Sequence, residues 1–181
     1  MFRWRQRQSV APIGRRSKWR ARKIPYNGWP DLVLAMSAYA ERQHLPYAAR
    51  QLFDLVANVE QYPEFMPWVV EARILRRKER TLAVEMMVEI GPLRRLFTTV
   101  ATLDRPHRID ISSGDPMFDR FEQRWTFEPV PGGGANVEYR VDFRFRSRIL
   151  QKLMGAAFAD QAKRTTSAFR LRAHRLYRSP P

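Results

Sequence analysis

From residue 81 to 145 the chain alternates apolar and polar positions in several long runs. "TLAVEMMVEI" sets Leu82, Val84, Met86, Val88 and Ile90 on one side. "DRFEQRWTFE" sets Phe121, Trp125 and Phe127 against Arg120, Glu122, Arg124 and Glu128. "ANVEYRVDFRF" sets Val137, Tyr139, Val141, Phe143 and Phe145 against Glu138, Arg140, Asp142 and Arg144. A period of two over such lengths predicts antiparallel strands with one buried and one wet face. Shorter strands are predicted at "EARILRR", "RRLFTTVATLD" and "RIDIS", and "SAYAERQHL" is an ambiguous first one. Gly91-Pro92 and Arg105-Pro106-His107 mark turns, and "PVPGGG" joins the last two strands as a hairpin whose glycines, Gly132 to Gly134, are free to take positive φ.

Two segments follow the helical period instead. "AARQLFDLVANV", after Pro46, gathers Leu52, Phe53, Leu55 and Val56 on one side. A last helix begins after Ser147, a suitable N-cap, and runs to Tyr177. Its expected inner stripe is Leu150, Leu153, Met154, Ala157, Phe158, Ala162, Thr165, Phe169 and Leu176. At the usual rise it is about 45 Å long, too long to be covered by short helices. It must lie across the concave face of a curved antiparallel sheet. The expected fold class is therefore α+β: about six or seven strands wrapped around a long C-terminal helix, with two short helices after the first strand.

Between the first helix and the next strand, "VANVEQYPEFMPWVV" places Tyr62, Phe65 and Trp68 at three-residue intervals among Pro63 and Pro67. Proline inside a helix removes a donor and clashes with the preceding turn, so the stretch predicts a short helix ending or a 3₁₀ corner. A sheet wrapped around one helix leaves a tapering space between them. The corner would close one end of it, with Tyr62, Phe65 and Trp68 as rim and lid.

Composition narrows the picture. The 181 residues are 44% hydrophobic and 12% aromatic, which suits one domain with a real core plus a tail. There is no cysteine, which excludes disulfides, thiolate nucleophiles and cysteine metal sites. No apolar run is long enough for a membrane-spanning helix. The net charge of +15 is unevenly spread. Residues 1–35 carry Arg3, Arg5, Arg7, Arg15, Arg16, Lys18, Arg20, Arg22 and Lys23 against Asp31 alone. This basic tail is open to three readings: a targeting presequence, an arm for phosphate-rich surfaces, or a mis-assigned start with translation beginning at Met36. The ligand-binding domain is expected over residues 36–178.

Catalytic signals are missing. His44, His107 and His174 fall in different elements, without a carboxylate at consistent spacing. No nucleophile triad, metal-ligand spacing or phosphate loop occurs, and Glu85 and Glu89 alternate onto the wet face. The expectation is a non-enzymatic binding protein with no metal and no catalytic cofactor. Inward aromatics such as Phe121, Phe127 and Phe143 need no cause beyond core packing. Met86, Met87, Met117 and Met154 could line a cavity flexibly, but scattered gap filling is the expected reading.

Several stretches together resemble the START-like, helix-grip superfamily, and within it the coenzyme Q-binding proteins, which share a family with bacterial ribosome-association toxins and are polyketide cyclase-like. They are "LPYAARQLFDLVANVEQYPEFMPWV", "TLDRPHRIDI", "RWTFEPVPGGGANVEYRVDFRFRSRILQKLMG" and "AFRLRAHRLY". Three positions depart from that family's usual pattern: Asn58 stands for an Asp, Val69 for a Cys, and Asp115-Pro116-Met117-Phe118 for Asp-Gly-Pro-Phe. The resemblance implies a helix-grip fold and a carrier of ubiquinone or a similar isoprenoid lipid, supporting respiration or quinone biosynthesis. The alternatives are a toxin-like protein on the large ribosomal subunit and its RNA, and, more remotely, a cyclase-type enzyme. The expected ligand-binding residues are Tyr62, Phe65, Trp68, Met86 and Phe97, with Phe118, Trp125, Tyr139, Met154 and Phe158. Tyr62, Tyr139 and Asn58 are candidates for the polar head. The expected place is the bacterial cytoplasm, peripheral on the inner membrane, or alternatively the matrix side of the mitochondrial inner membrane. Arg148, Lys152, Lys163, Arg164, Arg170, Arg172, Arg175 and Arg178 on the last helix suit a solvated face, an anionic membrane or RNA. Aromatics that could stack on RNA bases are few beside them, Trp4 and Trp19 of the tail being exceptions.

Overall fold

The computed structural model of this chain describes residues 37–178. The tail over residues 1–35 and the Met36 start lie outside the described residues. Every strand expected from alternation is present: β1 (Ser37–Leu45), β2 (Val69–Lys78), β3 (Thr81–Ile90), β4 (Leu93–Asp104), β5 (Arg108–Ser112), β6 (Phe118–Pro129) and β7 (Ala135–Phe145). They form one antiparallel seven-stranded sheet in the order β1–β7–β6–β5–β4–β3–β2. The ambiguous "SAYAERQHL" is thus a strand, paired along its whole length with β7.

α1 (Ala49–Ala57) starts where the Gln51 side chain accepts from the Ala48 N–H at 3.0 Å. A 3₁₀ helix follows at once (Val59–Glu64), with Pro63 inside it. α2 (Arg148–Tyr177) is 30 residues long, and Ser147 caps it by accepting from the Leu150 N–H. The sheet is curved around α2. The buried faces of β3, β6 and β7, with Leu82, Val84, Trp125, Phe127, Val137, Tyr139 and Phe143, meet Met154, Phe158, Ala162 and Phe169 of the helix in one core.

Bulges supply part of the curvature. Val70 and Leu75 interrupt the β2–β3 register on the edge strand. Asp119 interrupts the β6–β7 register, which carries even-numbered Phe118 onto the same buried face as odd-numbered Phe121 and Phe143. At the β6–β7 turn Gly132, Gly133 and Gly134 all have positive φ. A Cβ on Gly134 would lie 2.4 Å from the Leu45 carbonyl oxygen, so the chain needs glycine there for close approach as well as for φ.

One expectation about α2 is corrected. Leu153 and Leu176, expected on the inner stripe, are 72% and 46% exposed. The buried stripe runs Met154, Gly155, Phe158, Ala162, Thr166, Phe169 and Ala173. Adjacent helical residues differ by about 100°, so Met154 and Leu153 cannot both face the sheet, and the larger partner cluster selects Met154.

Antiparallel register also sorts the connections. The β3–β4 turn, the β5–β6 loop and the β7–α2 link share one end of the sheet. The β2–β3, β4–β5 and β6–β7 turns share the other, where α1 packs on β5 and β6.

Candidate functional site

Between the sheet and α2 lies a cavity of about 110 Å³. The 3₁₀ helix and its exit contribute Val59, Tyr62, Met66 and Trp68; β3 and β4 contribute Met86, Phe97 and Thr99; β6 and β7 contribute Gln123, Trp125 and Tyr139; α2 contributes Phe158, Gln161, Thr165 and Phe169. Phe121, Phe143 and small or branched aliphatics fill the rest. Among the described residues no carboxylate, histidine, lysine or arginine lines it.

Two aromatic clusters bound the space. At one end Phe97, Phe121 and Phe158 face the cavity, backed by Phe118 and Phe145, whose rings stack at 5.3 Å. Phe118 also meets Phe97 at 5.8 Å and Phe158 at 6.1 Å. At the other end Phe169 meets Trp125 at 5.0 Å and Tyr62 at 5.3 Å. The Trp125 and Tyr139 rings lie 4.5 Å apart.

The polar groups form a short band between these clusters. Thr99 is buried, and Gln123 and Gln161 are partly so. The Thr165 hydroxyl donates to the Gln161 carbonyl at 2.8 Å. The Gln161 side-chain oxygen is buried and has no partner. A buried acceptor left unpaired costs about 1–3 kcal/mol, which a ligand donor or a water would relieve. Burial drives the Tyr62 and Tyr139 phenols far above their ordinary range, with weaker repulsion from neighbouring tyrosines adding to it. Both stay neutral under ordinary conditions, so the whole cavity is uncharged.

Seven residues expected from the sequence line this cavity: Tyr62, Trp68, Met86, Phe97, Trp125, Tyr139 and Phe158. Phe65, Phe118 and Met154 do not. Phe65 follows the end of the 3₁₀ helix and turns outward, packing on Phe169 at 5.1 Å beneath the Arg172 guanidinium. Met66 takes the place beside Tyr62, because its N–H bonds to the Tyr62 carbonyl at 2.8 Å in an α-type turn. Phe118 sits one layer behind the cavity wall, and Met154 one helical turn before Phe158. Asn58 is exposed where α1 meets the 3₁₀ helix, away from any head group. The Tyr62 hydroxyl is engaged by the Val56 carbonyl at 2.5 Å, which makes it a wall rather than a free donor.

Sequence reasoning missed Thr99, Gln123, Gln161 and Thr165 as the polar band, although Thr165 was placed on the inner stripe. The signal was present: Thr99 falls between Phe97 and Ala101, and Gln123 between Phe121 and Trp125, on strand positions whose parity is inward. The departed loop Asp115-Pro116-Met117-Phe118 forms a tight turn. The Phe118 N–H bonds the Asp115 carbonyl at 3.0 Å, and the Asp115 carboxylate accepts from the Met117 N–H at 2.9 Å. Proline at the second position suits that turn.

Known proteins resemble this chain along most of its length. The family described as polyketide cyclase / dehydrase and lipid transport matches residues 45–170. The ribosome association toxin RatA of Pseudomonas aeruginosa is 31% identical over 143 residues, covering 78% of this chain and 99% of that protein. The mitochondrial coenzyme Q-binding protein COQ10 homolog B of Xenopus laevis is 26% identical over 143 residues, covering 77% of this chain and 59% of that one. The Zhui aromatase/cyclase of Streptomyces sp. R1128 shares the fold, with a TM-score of 0.70 over 80% of this chain and 97% of its own, at 16% identity. The chain belongs to the polyketide cyclase / dehydrase and lipid transport family and has its START-like, helix-grip fold.

Proposed function

We propose that this family member is a non-enzymatic carrier that holds the ring of a ubiquinone-like isoprenoid lipid in the cavity beneath α2. The observation that carries the reading is the neutral, aromatic-walled cavity with one short polar band and an unpaired Gln161 oxygen. A quinone has an uncharged oxygenated ring and an apolar tail, and this lining suits the ring. Its size limits what enters. Pockets that enclose a whole drug-sized ligand measure roughly 300–1,000 Å³, whereas a cavity of about 150 Å³ takes a benzene ring. At about 110 Å³ the cavity suits a ring, and a prenyl tail leaves past the half-buried Trp68, Met86 and Ile111 or needs the helix to shift. A cavity without carboxylate, histidine or lysine supports binding over acid–base chemistry. The similarity to a coenzyme Q-binding relative supports it too. Among the described residues no helix is long and apolar enough to cross a membrane, so the lipid is met from the surface.

Mass spectrometry of a solvent extract of the purified protein tests this, together with titration of a short-tailed ubiquinone followed by tryptophan fluorescence. Co-purified quinone and Trp125 quenching are expected. Gln161→Leu is expected to weaken binding at least fivefold while leaving the melting temperature equal or higher, since it removes an orphaned buried polar atom. An empty protein whose fluorescence does not respond overturns the reading.

A second reading, ribosome association, is favoured by a specific surface. Arg77 and Lys78, which end β2 after Arg76, line an open groove with Arg80 and Arg105, four cations against Glu79 and Asp104. Such a basic rim suits a phosphate backbone, and the Pseudomonas relative is named for ribosome association. Co-sedimentation with the large subunit, lost in an Arg76→Gln/Arg77→Gln variant, would favour it over the carrier.

A further inference from the structure

The first two turns of α2 carry a feature that the cavity does not use. Ile149 and Leu153 are each 72% exposed, the most exposed large hydrophobics among the described residues. They are four apart and so form one ridge on the helix. Arg148 and Lys152, also four apart, form the adjoining ridge, and Arg146 precedes them. Among the described residues none of these three cations has an ion-pair partner; Arg144, Arg164 and Arg172 are each paired to a carboxylate, while Arg170, Arg175 and Arg178 at the far end of the helix are not. Between Asp142 and Asp160 the chain holds no acidic residue at all.

The same end of the sheet extends the pattern. The β3–β4 turn, Gly91-Pro92, lies at this end by register. Arg95 falls on the concave face there, opposite Val88, exposed and without an ion pair. Asp119 and Glu89, the acids nearest in register, are neutralised by Arg144 and Arg94. Exposed aliphatics set among unpaired cations, with Asp119 and Glu89 ion-paired and the Asp115 carboxylate of the β5–β6 loop turned onto the Met117 N–H, match the requirements of an interfacial helix on an anionic bilayer. An isolated exposed leucine means little, but here two share one helical ridge, and the helix end that carries them also bounds the cavity through Phe158.

We propose that the N-terminal turns of α2 dock this protein on anionic lipid surfaces, with Ile149 and Leu153 entering the acyl boundary and Arg146, Arg148 and Lys152 on the headgroups. The ligand exchange this docking would serve rests on the carrier reading, but the docking itself does not.

The test is flotation of the full chain with vesicles of phosphatidylcholine alone or mixed with phosphatidylglycerol. Binding to the mixed vesicles and weak binding to the neutral ones are expected. Ile149→Ser with Leu153→Ser should weaken binding about tenfold or more, at an unchanged melting temperature because both side chains face solvent. Arg148→Gln with Lys152→Gln should weaken it about fivefold for each charge removed. Leu171→Ser with Leu176→Ser, exposed at the far end of the same helix, is the control and should stay within twofold of the unaltered chain. Full binding by the Ile149/Leu153 variant overturns the proposal, as does an equal loss in the control. Absence of vesicle binding by the unaltered chain overturns it as well, and ribosome co-sedimentation lost in the Ile149/Leu153 variant would then assign the patch to a ribonucleoprotein. Quinone in the solvent extract is a separate readout, so the carrier reading can stand when docking fails, and docking can stand when the extract is empty.

Discussion

The Tyr62 hydroxyl donates to the Val56 carbonyl at 2.5 Å, tying the 3₁₀ corner to the last turn of α1. The bond explains how a segment with two prolines set among its rings keeps one geometry. Val56 is near the end of α1, where carbonyls lack helical partners, and the phenol supplies one from six residues along. Tyr62 thereby contributes a ring to the cavity while its polar atom serves the fold.

Tyr62→Phe is accordingly expected to lower stability by about 1–2 kcal/mol, the cost of leaving a buried carbonyl unpaired. Quinone affinity should hardly move. Urea unfolding and fluorescence titration on the same variant separate these effects, and a selective loss of affinity would instead make the hydroxyl a ligand contact.

Trp68 should behave in the opposite way. It is half-buried and lines the cavity, and its backbone carbonyl accepts from the Glu89 N–H of β3 at 2.9 Å. Trp68→Ala is expected to cost about 1 kcal/mol of stability and a larger share of binding energy. Trp125→Ala, at a fully packed position, should cost about 3–5 kcal/mol. Equal stability losses in the two variants would make Trp68 ordinary core.

The phase of α2 is testable with two aspartates. Phe158 is buried against Phe145 at 5.0 Å and Phe143 at 5.2 Å. Phe158→Asp would bury an unpaired charge and is expected to cost about 4 kcal/mol or more, or to abolish soluble expression. Leu153→Asp, five residues earlier and facing solvent, should stay within about 0.5 kcal/mol. Thermal melts of the pair decide the phase, since a helix rotated by one position would exchange the two results.

Alkaline stability should depend on Tyr62 and Tyr139. Both phenols are raised in the folded state above their ordinary value of 10.0. A group whose folded pKa is raised stabilises the fold fully below its unfolded pKa and loses that contribution as pH climbs toward the folded value. Unfolding free energy should therefore fall above pH 10, and the late tyrosinate absorbance should rise together with loss of circular dichroism. Titration of every tyrosine before unfolding would contradict their burial.

Local pattern determined most of the architecture. Alternation at β3, β6 and β7, the Ser147 cap, the glycine hairpin and the helical period of α2 are properties of neighbouring residues, so each element was legible one at a time. The long helix, too long for the short helices to cover, then required a sheet along its length. Strand parity turns Met86, Phe97, Trp125 and Tyr139 inward, the helical period does so for Phe158, and three-residue spacing marks Tyr62 and Trp68 at the corner.

What tertiary structure decided was relative rotation and depth. The Asp119 bulge moves Phe118 across the sheet by one register step, which a strict period of two cannot anticipate. The α-type turn after Tyr62 exchanges Phe65 for Met66, and about 100° per residue separates buried Met154 from exposed Leu153. The polar band escaped notice because Thr99, Gln123 and Gln161 lie on three separate elements, and only packing reveals that they share one small space. Cavity volume is the least local quantity of all: it is the difference between the curvature of a whole sheet and the side chains of a whole helix, and no stretch of residues encodes it alone.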